Sequence, residues 1–192
     1  MNEKNLLGLN SCFADLDDPL ELFKLWMAEA EKKEIDNPNA LSLATISTTN
    51  EPSVRVMLLK GLSEKGFVFY TNLNSAKSHD LKKNPKAAMC FHWKSLQRQI
   101  RISGSVIQVD DKEADDYFNS RPYESRIGAW ASDQSNVMQE RTDLLKKIEI
   151  FKKKYPSEKD VPRPKHWSGW RLNPTVIEFW LRLEYRIHER LR

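Results

Sequence analysis

"ALSLATISTTNEPSVRVMLLKGLSEKGFVFYTN", residues 40–72, decides the fold. Three runs rich in branched and aromatic side chains, "ALSLATIS", "SVRVMLLK" and "GFVFYTN", are separated by "TTNEP" and "GLSEKG". Both breaks are short, polar and turn-prone, so each strand turns straight back on the one before; a parallel connection needs a longer crossover, usually a helix. The pattern continues in "AAMCFHW" and "RQIRISGSVIQV", giving barrel strands over residues 41–110. Such a series buries its apolar face by curling into an antiparallel barrel with peripheral helices.

The flanks read as helices. "DDPLELFKLWMAEAEKK" starts on Asp18 as N-cap with Pro19 in the first turn, and Leu22, Phe23, Trp26 and Ala30 share one face of a helix over 19–33. A helical insert over 111–155 combines "DDKEADDYFNSR" with "VMQERTDLLKKIEIFKKKY", the latter with Val137, Leu144, Leu145, Ile148 and Phe151 inward. After the proline-rich "YPSEKDVPRPKHW" the chain returns to strand at "TVIEFW".

The tail "EFWLRLEYRIHERLR", residues 178–192, fits two periods. As a helix it stacks Leu183, Ile187 and Leu191. As a strand it puts Phe179, Leu181, Leu183, Tyr185 and Ile187 on one face, with Arg182, Glu184, Arg186, His188 and Arg190 on the other. The apolar period of two runs from Ile177 to Ile187, so the tail is taken as a strand over 175–190.

Length and composition bound the function. The 192 residues, 40% hydrophobic, can bury one core, so residues 1–192 read as a single domain. The 31 Lys and Arg stand among 27 Asp and Glu, for a net charge of +4. That balance argues against a nucleic-acid partner and for small anions held at local basic spots. An RNA-binding barrel gets little support either, since Phe67, Phe69 and Tyr70 fall at apolar strand positions. Cys12 and Cys90 lack metal-type spacing, as do His79, His92 and His166; no metal is expected, and a reducing cytoplasm is. "MNEKNLLGLN" carries no basic-then-apolar leader pattern and no apolar run reaches membrane-spanning length, so no membrane partner is expected.

Some polar residues exceed what a barrel needs. Arg55 and Lys60 bracket an apolar run, which also suits a strand with both ends in water. Tyr70 and Thr71 end a strand beside "LNSAKSHDL", where a helix start near Ser75 with Lys77 in its first turn could hold a phosphate; a plain Ser-capped helix reads equally well. Gln99 and Arg101 share a strand face. Tyr117, Arg121 and Ser125 stand four apart, although Pro122 interrupts the helix that would align them.

Taken in order, "RVMLLK", "FYTN" with "SAKS", "RQIRISG", "YFNSRP", "SDQS", "VPRPKHWSGWRL" and "EFW…RIHER" resemble the pyridoxamine 5'-phosphate oxidases over nearly the whole chain. The resemblance implies a mainly β protein with peripheral α: the FMN-binding split barrel, a six-stranded antiparallel Greek-key barrel. It also implies a homodimer with FMN at the subunit interface. The activity implied is oxidation of the phosphorylated B6 vitamers pyridoxamine and pyridoxine 5'-phosphate to pyridoxal 5'-phosphate, with O2 as acceptor, releasing H2O2 and, from the amine, ammonia. The contrasting expectation is a split-barrel relative that binds flavin or pyridoxal phosphate without turnover.

Residue by residue, the resemblance gives FMN to Arg55, Val56, Met57, Leu58, Leu59, Lys60, Tyr70, Thr71, Lys77, Gln99, Gln134, Ser135, Trp180 and Arg190. It gives the substrate to Lys60, Tyr117, Arg121, Ser125, Arg186 and His188, the last two as the catalytic pair over the flavin. Three departures stand out. Ala76 occupies the place of the family's usual arginine; "LRLEY" follows "EFW" where Gln-Gly and a short turn are usual; and the sequence stops at Arg192, without the further strand the family carries.

Overall fold

The computed structural model describes residue 13 and residues 16–192. Cys12 and the stretch read above for a leader lie outside the described residues. In chain order the elements are α1 (Pro19–Lys33), β1 (Ala40–Ile46), β2 (Pro52–Leu58), β3 (Gly61–Ser63), β4 (Gly66–Asn72), α2 (Ala76–Lys83), β5 (Lys86–Trp93) and β6 (Arg98–Gln108). There follow α3 (Asp111–Asn119), α4 (Tyr123–Ala131), α5 (Arg141–Lys154), β7 (Trp167–Leu181) and β8 (Glu189–Leu191).

Every recorded strand pair is antiparallel, in the order β2-β1-β5-β6-β7-β4-β3, with β8 added to β7. Six strands are seven residues or longer, and β3 and β8 have three each. No ladder joins β2 to β3 among the described residues, so the curled sheet stays open along that seam and the barrel is split. Asp18 accepts a hydrogen bond from Leu20 N at 2.8 Å and starts α1, whose Leu22, Phe23, Trp26 and Ala30 are buried. Phe23 meets Phe67 and Phe91 edge-on, with ring centroids 4.9 and 5.2 Å apart, and Trp26 meets Phe179 at 5.3 Å. Each large side chain buried this way contributes about 1.5–3 kcal/mol, so α1 is a main stabiliser of the sheet's concave face.

β7 begins earlier than its sequence suggests, at Trp167, and runs through Pro174. The proline is tolerated because the β6–β7 register shifts there, leaving Thr175 as the extra residue of a bulge. The strand also ends earlier than expected. The reading of 175–190 as one continuous strand is corrected: β7 stops at Leu181, residues 184–186 make a helical turn, and β8 folds back to pair Trp180 with Arg190. Two causes combine. Leu181 lies opposite Arg98, the first residue of β6, so no partner strand continues beyond it. Tyr185 and Arg186 then take left-handed φ values of 54° and 62°, reversing the chain. The apolar face holds through Leu183, but Tyr185 is 87% and Ile187 64% exposed.

The insert is three helices rather than two. Val137 (97% exposed) precedes α5, and Leu145 (51% exposed) sits a hundred-degree step from Leu144, so neither faces inward. Ile148 and Phe151 pack on the cluster around Phe118, Ile127 and Trp167.

Candidate active site

Alternation along β4 sends Tyr70 and Thr71 to opposite sides, and each side holds a distinct group. On the Thr71 side, Lys77 from the first turn of α2 donates to Thr71 Oγ1 at 3.1 Å, Ser75 Oγ at 3.2 Å and Gln134 Oε1 at 3.0 Å. Thr71 Oγ1 also donates to Gln134 Oε1 at 3.0 Å. Ala76 N donates to Ser135 Oγ at 3.2 Å and Asn72 Nδ2 to Ser132 O at 3.1 Å, binding the segment after α4 to the start of α2. Ser135 holds a left-handed φ of 70° to do so.

Lys77 is 7% exposed and its bonded partners are all neutral. Burial, with the nearby Arg55 charge as the lesser cause, lowers its ammonium from 10.5 to about 8. Arg55 is likewise held by neutral oxygens: Nη1 donates to Thr45 Oγ1 at 2.7 Å and Nη2 to Ser53 Oγ at 2.7 Å. Burial lowers its guanidinium, offset in part by Asp80. A buried cation without a bonded counter-ion is costly unless an anion joins it. The exposed Ala76 opens α2 at the place where the family's arginine is expected.

On the Tyr70 side lies a cavity of about 440 Å³ lined by Val56, Met57, Leu58, Lys60, Tyr70, Tyr117, Arg121, Pro122, Ser125 and Trp167. Pro122 ends the run of α3 and caps α4, and this bend, rather than one continuous helix, brings Tyr117, Arg121 and Ser125 to a common wall. Tyr70 stacks on Tyr117 at 3.9 Å and on Trp167 at 5.3 Å, which separates it from the Thr71–Lys77 group. Burial pushes its hydroxyl up to about 12, helped by Glu113. Arg121 Nη1 is buried without a hydrogen-bond partner, and burial lowers the guanidinium. Leu59 is in the main core, so only its backbone can border a ligand.

The third group sits at the far end of β7. Gln99 on β6, Trp180 on β7 and Arg190 on β8 are cross-strand neighbours in one row. His188 lies over Trp180, ring centroids 4.8 Å apart, and its Nδ1 accepts from Leu183 N at 3.3 Å. A ring accepting at Nδ1 keeps its proton on Nε2, which is left as a donor. Arg186 and His188 line one cavity of about 370 Å³ with Gln97 and Arg182, but from a turn and not from a flat strand face. Ser168, which pairs with Thr71, and Trp180 stand twelve positions apart on β7, about 40 Å along an extended chain. Within one chain the third group lines a cavity that shares no residue with the Tyr70 cavity.

Residues 27–154 match the family model for pyridoxamine 5'-phosphate oxidase, and residues 167–192 that for the pyridoxine 5'-phosphate oxidase C-terminal dimerisation region. Over 192 residues the chain is 62% identical to the pyridoxine/pyridoxamine 5'-phosphate oxidase of Pelagibacter ubique (strain HTCC1062), covering 100% of this chain and 92% of the relative. This chain belongs to the pyridoxine/pyridoxamine 5'-phosphate oxidase family. It is 50% identical to the Sinorhizobium fredii relative of the same name, over 93% of this chain and 86% of that one. Among solved structures, PhzG from Burkholderia lata 383, in complex with tetrahydrophenazine-1-carboxylic acid, superposes with a TM-score of 0.86 at 29% identity, covering 92% of this chain and 86% of that one. A pyridoxamine 5'-phosphate oxidase-related, FMN-binding protein from Nostoc punctiforme shares the fold at TM-score 0.68 and 16% identity, covering 93% and 98%. The family is one of enzymes, and the split barrel is its fold.

Two contributors escaped the residue-by-residue carry-over. Ser75 is a third oxygen on Lys77, and its position just before the helix was the available signal. Trp167 was legible only as part of "PRPKHWSGWRL", a motif that names no role by itself.

Proposed function

We propose that the protein oxidises pyridoxamine 5'-phosphate and pyridoxine 5'-phosphate to pyridoxal 5'-phosphate with FMN and O2, releasing H2O2 and, from the amine, ammonia. One observation carries this reading. The chain holds two separate cationic seats, Lys77 with Arg55 and Lys60 with Arg121, and none of the four forms an ion pair among the described residues. A reaction in which cofactor and substrate each bring a phosphate requires such a pair of seats.

The first seat fits the FMN phosphate: a buried ammonium, the Thr71 and Ser135 hydroxyls, Gln134, and the N-terminus of α2. The segment Arg55–Lys60 would run beside the ring system. Bound FMN supplies the two-electron acceptor chemistry, with oxygen restoring it. The second seat fits the substrate phosphate: Lys60 and Arg121 by charge, Tyr117 and Ser125 by their hydroxyls. Anchoring that dianion orients the rest of the molecule toward the flavin.

Gln99, Trp180, Arg186, His188 and Arg190 complete the site only across a homodimer, in which a second copy lays the end of its β7 beside the two seats. The match of residues 167–192 to a dimerisation region supports this. Arg186 would cover the substrate ring, and His188 Nε2–H would hydrogen-bond it. Among the described residues Cys90 is a free thiol, in keeping with a cytoplasmic setting.

The test is direct. Purified protein should be yellow and should generate peroxide when pyridoxamine 5'-phosphate is added in air. Yellow protein without peroxide would favour a binding protein without turnover, and colourless protein that gains no activity with added FMN would end the proposal.

A further inference from the structure

Arg121 is held in an unusual way for a buried cation. Its guanidinium carbon lies 4.7 Å from the centre of the Trp167 ring and 5.7 Å from that of Phe118. Among the described residues no carboxylate pairs with it, and its buried Nη1 has no hydrogen-bond partner. What fixes the group is therefore the indole face, through the attraction of a cation to the ring quadrupole.

The indole is itself fixed on every side. Trp167 is 6% exposed, lies within 8° of parallel to the Tyr70 ring and within 6° of the Tyr117 ring, and takes Phe118 edge-on at 5.0 Å. Its carbonyl accepts from Arg163 Nη1 at 2.9 Å, while Arg163 Nε and Nη2 each reach 2.6 Å from Asp115 and Asp111 on α3. Trp167 is thus latched to the helix that carries Tyr117. The backbone beneath is closed as well: a Cβ on Gly169 would come within 2.8 Å of the Tyr70 ring.

We propose that Trp167 is a positioning residue for substrate-phosphate binding: its indole face seats the Arg121 guanidinium in the wall of the cavity. This rests on the reading of Arg121 as a substrate-phosphate ligand. In this role Trp167 acts through Arg121, and the effect of replacing it falls on the Michaelis constant more than on the chemical step. An unpaired arginine held by a ring keeps its full charge for the incoming anion, whereas one held by a carboxylate would have it partly neutralised.

The experiment is a double-mutant cycle on FMN-loaded protein with pyridoxamine 5'-phosphate, and with pyridoxamine as the substrate lacking the phosphate. Trp167→Leu should raise KM for the phosphorylated substrate about ten- to thirty-fold, the worth of a desolvated cation–π contact. Trp167→Phe should restore most of it, since a ring face remains. The penalty should fall mainly on KM for the phosphorylated substrate, with any smaller change on pyridoxamine taken as the baseline, and Trp167→Leu should add little in an Arg121→Ala background. Equal losses on both substrates, or full additivity with Arg121→Ala, would overturn the positioning role while leaving Arg121 a phosphate ligand. If Arg121→Ala alone leaves KM unchanged, the underlying reading falls and this one with it. Should Trp167→Leu fail to fold, Trp167→Met decides in its place: a rise in KM falling mainly on the phosphorylated substrate supports the role, and an unchanged KM refutes it.

Discussion

Lys77 Nζ and Gln134 Oε1 lie 3.0 Å apart across 57 positions of sequence, and this bond joins α2 to the segment after α4. The oxygen is neutral, as are the other two that Lys77 reaches. Lys77→Met should therefore raise the melting temperature of the flavin-free protein, because an apolar chain of similar length replaces a buried charge that no carboxylate neutralises. The same variant should lose FMN affinity by two orders of magnitude or so, as expected for a charged hydrogen bond to a phosphate lost along with its charge. Calorimetry without flavin and a fluorescence titration with it check both halves.

The depressed Lys77 ammonium also sets a pH dependence. Folding holds it at about 8 against 10.5 when exposed, so the unfolded chain binds more protons between those values. Stability of the flavin-free protein should accordingly rise with pH through that window, as far as this group contributes. Flavin binding runs the other way, since the cation is what attracts the phosphate: affinity should weaken as pH climbs past about 8, and Lys77→Met should flatten that slope. Titrations at several alkaline pH values show whether the slope belongs to Lys77.

Ala76 stands exposed at the first position of α2. Ala76→Arg places a second cation at the flavin-phosphate seat without burying it, and should tighten FMN binding a few-fold at low salt, with the gain fading as ionic strength rises. An unchanged dissociation constant at low salt would mean that a neighbouring cation such as Arg55 already supplies the charge.

The refolded tail changes what its variants should do. Arg186→Ala and His188→Ala should lower turnover while the protein stays folded and yellow. Ile187, 64% exposed and no longer on a buried strand face, should tolerate Asp without unfolding. Because it falls within the stretch matching a dimerisation region, Ile187→Asp should instead weaken self-association, and sedimentation at falling concentration measures this.

Most of the barrel was readable because short turns leave antiparallel pairing as the economical solution, and α1 was readable because its cap and apolar stripe agree. The tail was not, for a reason no local pattern contains. Its period of two is real up to Leu183, but whether a strand continues depends on a neighbour, and β6 begins only at Arg98. Leu145 lies a hundred degrees round the helix from Leu144, outside the stripe that Ile148 and Phe151 bury, and the sequence does not say on which side of Leu144 that stripe falls. In the candidate site, the motifs gave the membership of each group but not their grouping: Tyr70 and Thr71 are consecutive, yet strand alternation sends one to the Tyr117 stack and the other to Lys77 and Gln134. Pro122, which argued against a common wall for Tyr117, Arg121 and Ser125, is what creates it.

β7 carries one kind of contribution at each end, with about 40 Å of extended chain between them. In the two-fold dimer proposed above, each subunit would then be a donor to both sites, a different half to each. The two halves can be inherited from different genes. A chain disabled at Lys77 and another disabled at Arg190 would each form dead dimers with themselves. In the mixed dimer both lesions fall in the same site, and the other site is whole. Coexpressing the two defective alleles in a cell that depends on this enzyme should therefore rescue growth, whereas two alleles damaged at the same end should never complement each other.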